Sequence, residues 1–281
     1  MICTISSIDA DLMDQWQNCE TFSFRLHSRF SHAINWMNDD GQMITFLSKN
    51  LPNGPNTLVL NVDSFDTWGL NDALLLKTSS QSLSILDADI EVRCRQITAL
   101  WQCDLPKLLQ MNHSAIIEIH QFLSLHNDDL QAIEKQVYRK LDDNHQALYH
   151  AIKDHNYDEV MECARSNIGL GLGLTPSGDD RLVGFLLGCF MQMPRNIDLL
   201  DALKKAIDMS PERTNEISYA MLKHASNGRF NEWLLLLGQV IANHDHNSLI
   251  LAIQDVFSIG SRSGGDMLKG LVLSLELFES F

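Results

Sequence analysis

The chain has 281 residues, 45% of them hydrophobic and 20% charged, with a formal net charge of −15. The length holds one large domain or two ordinary ones, and the composition is that of a globular protein. The acidic balance leaves no basic face for phosphate neutralisation and disfavours an anionic membrane surface, so neither nucleic acid nor membrane is an expected partner.

The first residues, MICTISSIDADLMDQ, include acids and no basic segment, so they do not form a secretory signal. No apolar run reaches the roughly 18 residues a membrane span requires. The six cysteines (Cys3, Cys19, Cys94, Cys103, Cys163, Cys189) lack any C-x-x-C spacing. Reduced thiols in a cytoplasmic protein are therefore expected, rather than a disulfide framework or a zinc site.

Segments 22–37 (FSFRLHSRFSHAINWM) and 43–47 (MITFL) flank the turn sequence NDDGQ and read as strands. LPNGPNTLVLNV opens as a loop and continues as a short strand, Leu58–Val62. SLSIL (82–86) and IEVRC (90–94) bracket a second hairpin. A boundary falls within 103–113, after which the period becomes helical. In 129–153, Leu130, Ile133, Val137, Leu141, Leu148 and Ile152 form a stripe. Further helices are expected at YDEVMECARSN and at 178–192, 197–208, 211–226, 230–243, 246–258 and 264–280. The fold class is therefore α+β: a β-rich N-terminal domain, 1–105, and a mostly α-helical C-terminal domain, 106–281.

The segment NIGLGLGLTPSGDDRLVG places Gly169, Gly171 and Gly173 at alternate positions, before a Thr-Pro-Ser-Gly turn and two aspartates. It is not a P-loop, having no G-x-x-x-x-G-K-[ST], and its glycine spacing is not a dinucleotide fingerprint. If extended, the three leucines between and after the glycines would share one side and leave the other bare. The motif is echoed: SGDDRLVG (177–184) and SGGDMLKG (263–270) share Ser, Gly, Asp, Leu and Gly at the same offsets. Each reads as a helix start with Ser177 or Ser263 as N-cap and Asp180 or Asp266 at N3. Gly184 and Gly270 follow on the same face, where another backbone can approach.

Capped, tightly packed helices explain either copy alone. Together, two helix starts facing one cleft would gather backbone N–H groups, hydroxyls and carboxylates. On that reading Thr175, Ser177, Asp180 and Asp266 are the catalytic candidates. Gly171, Gly173, Gly178, Asp179, Arg262, Ser263 and Gly264 are the substrate-binding candidates. The carboxylates repel a bare phosphate, so a divalent cation such as Mg²⁺ on Asp180 and Asp266, or Arg262 with Lys269, would have to intervene. If Asp180 and Asp266 lay on opposite sides of the fold, this reading would fail.

Other features are weaker. His145, His150 and His155 recur every five residues and do not share a helical face. HDH (244–246) reads as a loop or cap, and Cys189 as core. In SPERTNEISYAML, Ser210 is expected to cap a helix with Pro211 at N1. Thr214 and Ser218 then share a face and are expected to bond to the helix's own carbonyls, with a pocket-lining role as the alternative.

GLGLTPSGDDRLVG, RTNEISYAMLKHASNGRF and SIGSRSGGDMLKGLVL, after an N-terminal part with FSHAIN and LPNGPNTLVL, resemble the family of the AllH-type subunit of bacterial oxamate carbamoyltransferase. The resemblance implies a cytoplasmic subunit of a complex of different proteins. It also implies the conversion of oxalurate and phosphate into oxamate and carbamoyl phosphate, in anaerobic allantoin and purine-nitrogen catabolism. The implied partners are the other subunits and a small substrate such as oxamate or carbamoyl phosphate. Whether this chain carries the chemistry stays open. The alternatives are a non-catalytic scaffold or regulatory subunit, or a metal-dependent enzyme acting on a small phosphorylated metabolite.

Overall fold

The computed structural model describes residues 2–18, 23–70, 75–78, 82–85, 90–93, 97–126 and 131–278. The chain divides into two compact units, Met1–Cys103 and Asp104–Phe281. The expected class, β-rich then α-helical, is the one observed.

The first unit is a sheet of nine described strands: β1 Ile2–Asp9, β2 Ser23–Arg29, β3 Ala33–Met37, β4 Met43–Ser48, β5 Thr57–Leu60, β6 Leu75–Thr78, β7 Ser82–Ile85, β8 Ile90–Arg93 and β9 Ala99–Trp101. Their order is β5-β4-β3-β2-β6-β7-β8-β1-β9, and β1 also pairs with β5. That second pairing brings the sheet back on itself, removing the open edge β1 and β5 would otherwise expose. Helix α1, Ala10–Asn18, covers part of the core with Leu12 and Trp16. Ile5, Ile8, Ile34, Trp36, Phe46, Leu58 and Leu60 fill the interior.

Both expected hairpins are present: β3 pairs with β4, and β7 with β8, each antiparallel. The long run 22–37 is two antiparallel strands, β2 and β3, because the chain turns at Phe30–His32, where Phe30 N–H donates to the Ala33 carbonyl. The strand after the Pro-Asn-Gly-Pro loop is Thr57–Leu60. Three strands gave no usable pattern: β6 and β9 are too short for alternation, and polar serines interrupt the apolar positions of β1.

The second unit holds, among the described residues, α2 His113–Leu125, α3 Ala132–Lys153, α4 Tyr157–Asn167, α5 Ser177–Met191, α6 Ile197–Asp208, α7 Glu216–Ala225, α8 Glu232–Ala242, α9 His246–Phe257 and α10 Ser263–Phe278. Side-chain caps begin most of them: Asn112, Asn156, Asn196, Asn215, Asn231 and Asp245 each accept a first-turn N–H. Asp245 of the HDH segment is thus a helix cap. In α3, Leu141, Leu148 and Ile152 of the expected stripe are buried, Ile133 is exposed, and Leu130 lies outside the described residues. The expected helix at 211–226 is a 3₁₀ turn, Pro211–Arg213, then α7, because Asn215 takes the cap. Ser210 does not cap; its hydroxyl donates to the Ala206 carbonyl.

Helix α5 is the centre of this unit, buried at every residue from Ser177 to Cys189. A helix buried all round suits its apolar LVGFLLGCF run. It lies parallel to α10 at very close range. A Cβ on Gly184 would stand 1.8 Å from the Met267 carbonyl oxygen, and a Cβ on Gly270 1.8 Å from that of Arg181. The contact is reciprocal, since Arg181 and Met267 are matching positions of the two echoed motifs. One turn further, Gly188 sits against the Ser274 hydroxyl, where a Cβ would lie 1.7 Å away. Backbone-to-backbone contact of this kind needs residues without side chains and brings Cα–H groups onto carbonyls.

Gly270→Ala forces α5 and α10 apart along the whole interface. It is expected to destabilise the protein by about 3 kcal/mol, in the range of overpacked cores, measured as a shift in the urea midpoint. Ala at Gly41, whose added Cβ would meet no atom within 4 Å, is the control and should lose less despite its positive φ.

Candidate functional site

The parallel packing places both motif copies at one end of the helix pair. The Thr175 and Ser263 hydroxyls are 2.7 Å apart. Asp180 lies behind them, so the two Ser-Gly-x-Asp segments converge in space. Neither serine is the expected N-cap. Pro176 holds that position for α5, and its carbonyl accepts from both Asp179 and Asp180 N–H groups. Asp180 is therefore one residue deeper in the helix than N3. Ser177 lies 3.4 Å from the Tyr138 hydroxyl, to which it donates, and Ser263 is the first residue of α10, bonded to Thr175.

Asp180 is 1% exposed, and its Oδ1 has no hydrogen-bond partner. Burial pushes its carboxyl up to about 8, with the Asp266 and Asp179 charges adding to the rise and hydrogen bonds from Ser263 and Thr175 opposing it. At neutral pH it is mostly a neutral acid, a proton donor held behind two hydroxyls.

Asp266 is equally buried but ringed by donors. The Tyr138 hydroxyl donates to Oδ2 at 2.8 Å, while Arg181 Nε and Lys269 Nζ each stand 3.5 Å from Oδ1. Arg181 also donates to Asp142 at 2.8 Å. Its guanidinium and the Lys269 ammonium lie 5.4 and 4.5 Å from the Tyr138 ring centroid. Burial and the Asp266 charge push the Tyr138 hydroxyl up to about 12, so it remains a donor.

Asp179 points elsewhere. Its Oδ1 accepts from Gly169 N–H at 2.8 Å, and its Oδ2 from the Thr214 and Ser218 hydroxyls at 2.5 and 2.7 Å. Thr214 and Ser218 thus bond neither to their own helix nor to a pocket. They tether the start of α7 to α5. Burial raises the Asp179 carboxyl, and these three hydrogen bonds pull it back. Arg262 pairs with Glu134 of α3 rather than facing the hydroxyl pair.

The glycine loop is not extended. Gly169, Gly171 and Gly173 have φ of 77, 144 and 101°, outside the strand region, so the leucines do not share a side. Leu172 and Leu174 are exposed. Gly169 is confined by close approach: a Cβ there would meet the Arg213 carbonyl oxygen at 1.8 Å. Gly171 lies against the Ser177 backbone nitrogen, while no atom lies within 4 Å of a Cβ at Gly173. Gly178 and Gly264 are packing positions in both copies, against the carbonyls of Asn167 and Val256 near the ends of the preceding helices. They therefore cannot offer bare backbone to a ligand.

Of the sequence candidates, Thr175, Ser177, Ser263, Asp180 and Asp266 are brought together, and Asp179, Arg262, Gly178 and Gly264 are engaged in internal contacts. The Mg²⁺ expectation lacks a donor set. Asp179 faces away, and Asp266 is already held by Tyr138, Arg181 and Lys269. Among the described residues no group of three His, Cys, Asp or Glu side chains could hold a metal ion. Two further residues of this cluster, Tyr138 and Arg181, are not among the sequence candidates. Arg181 directly follows the aspartate pair in the motif, whereas Tyr138 comes from a helix with no motif.

Residues 4–99 match the AllH family N-terminal domain, and residues 167–275 match the oxamate carbamoyltransferase subunit AllH. No solved structure matches the chain. The chain belongs to the AllH family, which is described as a subunit of oxamate carbamoyltransferase. Among the described residues no helix is long and apolar enough to cross a membrane.

Because the folded Asp180 pKa is raised, the native state holds a proton that the unfolded chain releases. Its contribution is fully present below about pH 4 and is lost as pH rises towards 8. Asp180→Asn, which mimics the protonated form, should match wild type near pH 4 and exceed it in urea stability near pH 9. Parallel stability curves over that range would show that Asp180 titrates normally. Asp179→Ala strands three donors and should cost about 4 kcal/mol, near the sum expected for buried unsatisfied groups. The thermal unfolding midpoint measures it.

Proposed function

We propose that this chain is a subunit of an oxamate carbamoyltransferase-like complex and that the converged helix starts contribute to carbamoyl transfer. The reaction is the phosphorolysis of oxalurate to oxamate and carbamoyl phosphate, within anaerobic allantoin and purine-nitrogen catabolism. The observation that carries the reading is Asp180: a buried, protonated carboxyl with an open oxygen, behind the Thr175–Ser263 hydroxyl pair.

Phosphate attack on the carbamoyl carbon forms a C–O bond and breaks a C–N bond, and the departing oxamate nitrogen must gain a proton. A carboxyl with a pKa near 8 can supply it. The route runs from Asp180 through Ser263 or Thr175, which are only partly buried. Tyr138 and the two helix N-termini stabilise negative charge at this end. Arg181 and Lys269 flank Asp266, to which the Tyr138 hydroxyl donates.

A scaffold or regulatory subunit is the second reading. Asp179, Arg262, Gly178 and Gly264 all serve internal packing, as a purely structural motif would. A metal-dependent enzyme draws no support from the donor set.

Reconstitution with the partner subunits separates these. Asp180→Asn and Ser263→Ala should each lower phosphorolysis at least about 100-fold, the usual range for a proton-transfer group, with complex assembly intact by size-exclusion chromatography. Full activity of both variants in an intact complex would leave the scaffold reading standing.

A further inference from the structure

Beside Arg181 and Lys269 the helical unit has a second concave site, which Thr175 and Ser263 do not line. It is a cavity of about 750 Å³ between α2, α3 and α10. That volume lies within the range of small-molecule pockets. One wall is apolar, formed by Leu123, Val272 and Leu273. The opposite wall is the face of α3 that carries His145, Gln146, Tyr149 and Lys153, at spacings that bring them to one side of the helix.

The charges on these walls are unevenly engaged. Both acidic side chains lining the cavity are paired: Asp142 with Arg181 at 2.8 Å, and Glu276 with His120 at 2.9 Å. Lys269 stands 3.5 Å from Asp266. Lys153 makes no ion pair with a described residue and instead lies over the Tyr149 ring, 4.7 Å from its centroid. His145 has no hydrogen bond to a described residue. Burial, followed by the Arg181 charge, holds its imidazole down to about 4 against the opposing charge of Asp142, so the ring is neutral. The α3 wall therefore offers an unpaired ammonium, an unpartnered imidazole and a phenol, in a protein whose overall charge is strongly negative.

We infer that this cavity binds a small organic anion, with a carboxylate or phosphate head on Lys153 and an apolar body that runs past Tyr149 toward His145 and packs against Leu123, Val272 and Leu273. An acidic head supplies the missing partner for Lys153. The apolar wall gains from covering by a hydrocarbon or aromatic body, which an inorganic ion cannot provide. The Thr175–Ser263 pair, Asp180 and Tyr138 do not line this cavity; Arg181 and Lys269 stand between it and Asp266.

Isothermal titration calorimetry on the full chain with phenyl phosphate and benzoate, and with inorganic phosphate and phenol as half-probes, tests it. One-to-one binding of phenyl phosphate or benzoate is expected, at least tenfold tighter than either half-probe, and the tighter of the two identifies the head group. The His145 imidazole resonances should move on binding. Lys153→Glu, at an exposed position, should weaken binding at least tenfold, while Asp180→Asn should leave it unchanged. No binding of either full probe at millimolar concentration would overturn the assignment. So would affinity unaltered by Lys153→Glu, or a loss of binding in Asp180→Asn.

Discussion

The contact on which the helical unit turns is the reciprocal approach of Gly184 to the Met267 carbonyl and of Gly270 to the Arg181 carbonyl. Parallel helices at this distance carry their N-terminal ends together. Each end has the equivalent of about half a positive charge, so two in register repel unless anions lie between them. The two first-turn aspartates engaged by donors, Asp179 and Asp266, answer that repulsion, while the protonated Asp180 adds little. Glycine spacing and acidic helix starts are thus one design: the glycines create the proximity and the carboxylates make it tolerable.

The three carboxylates do not share the work equally. Asp266 meets Tyr138, Arg181 and Lys269. Asp179 is consumed by Gly169, Thr214 and Ser218. Asp180 is buried with the two hydroxyls as partners and, among the described residues, none for Oδ1; burial above all makes it keep a proton. One residue of offset along a helix separates a structural tether from an acid, because adjacent side chains point about 100° apart.

The likeness of the two motif copies breaks at the position of Asp179. The position matching Asp179 in the second copy is Gly265, so only the first copy is tied to the glycine loop and to α7. That tie fixes a loop whose three glycines all take positive φ and which presents Leu172 and Leu174 to solvent. The second copy instead carries Lys269, which stands 3.5 Å from Asp266 and also lines the neighbouring cavity.

By itself the sequence determined the β-then-α class, most helix bounds, the hairpins at β3–β4 and β7–β8, the family, and the likeness of the two motifs. These rest on periodicity, turn chemistry and short local patterns, which are written along the chain. It misplaced the caps, because a serine beside a helix start is a cap only if its hydroxyl has no better partner, and Tyr138 and Thr175 are such partners. It missed Tyr138, read Arg262 as free for a ligand, and gave Thr214 and Ser218 no link to Asp179. Each of those depends on which distant segment arrives beside it. Only the tertiary structure decided that the two motifs converge and that Asp180 alone is left with an open oxygen, since desolvation and the choice of partner are set by packing.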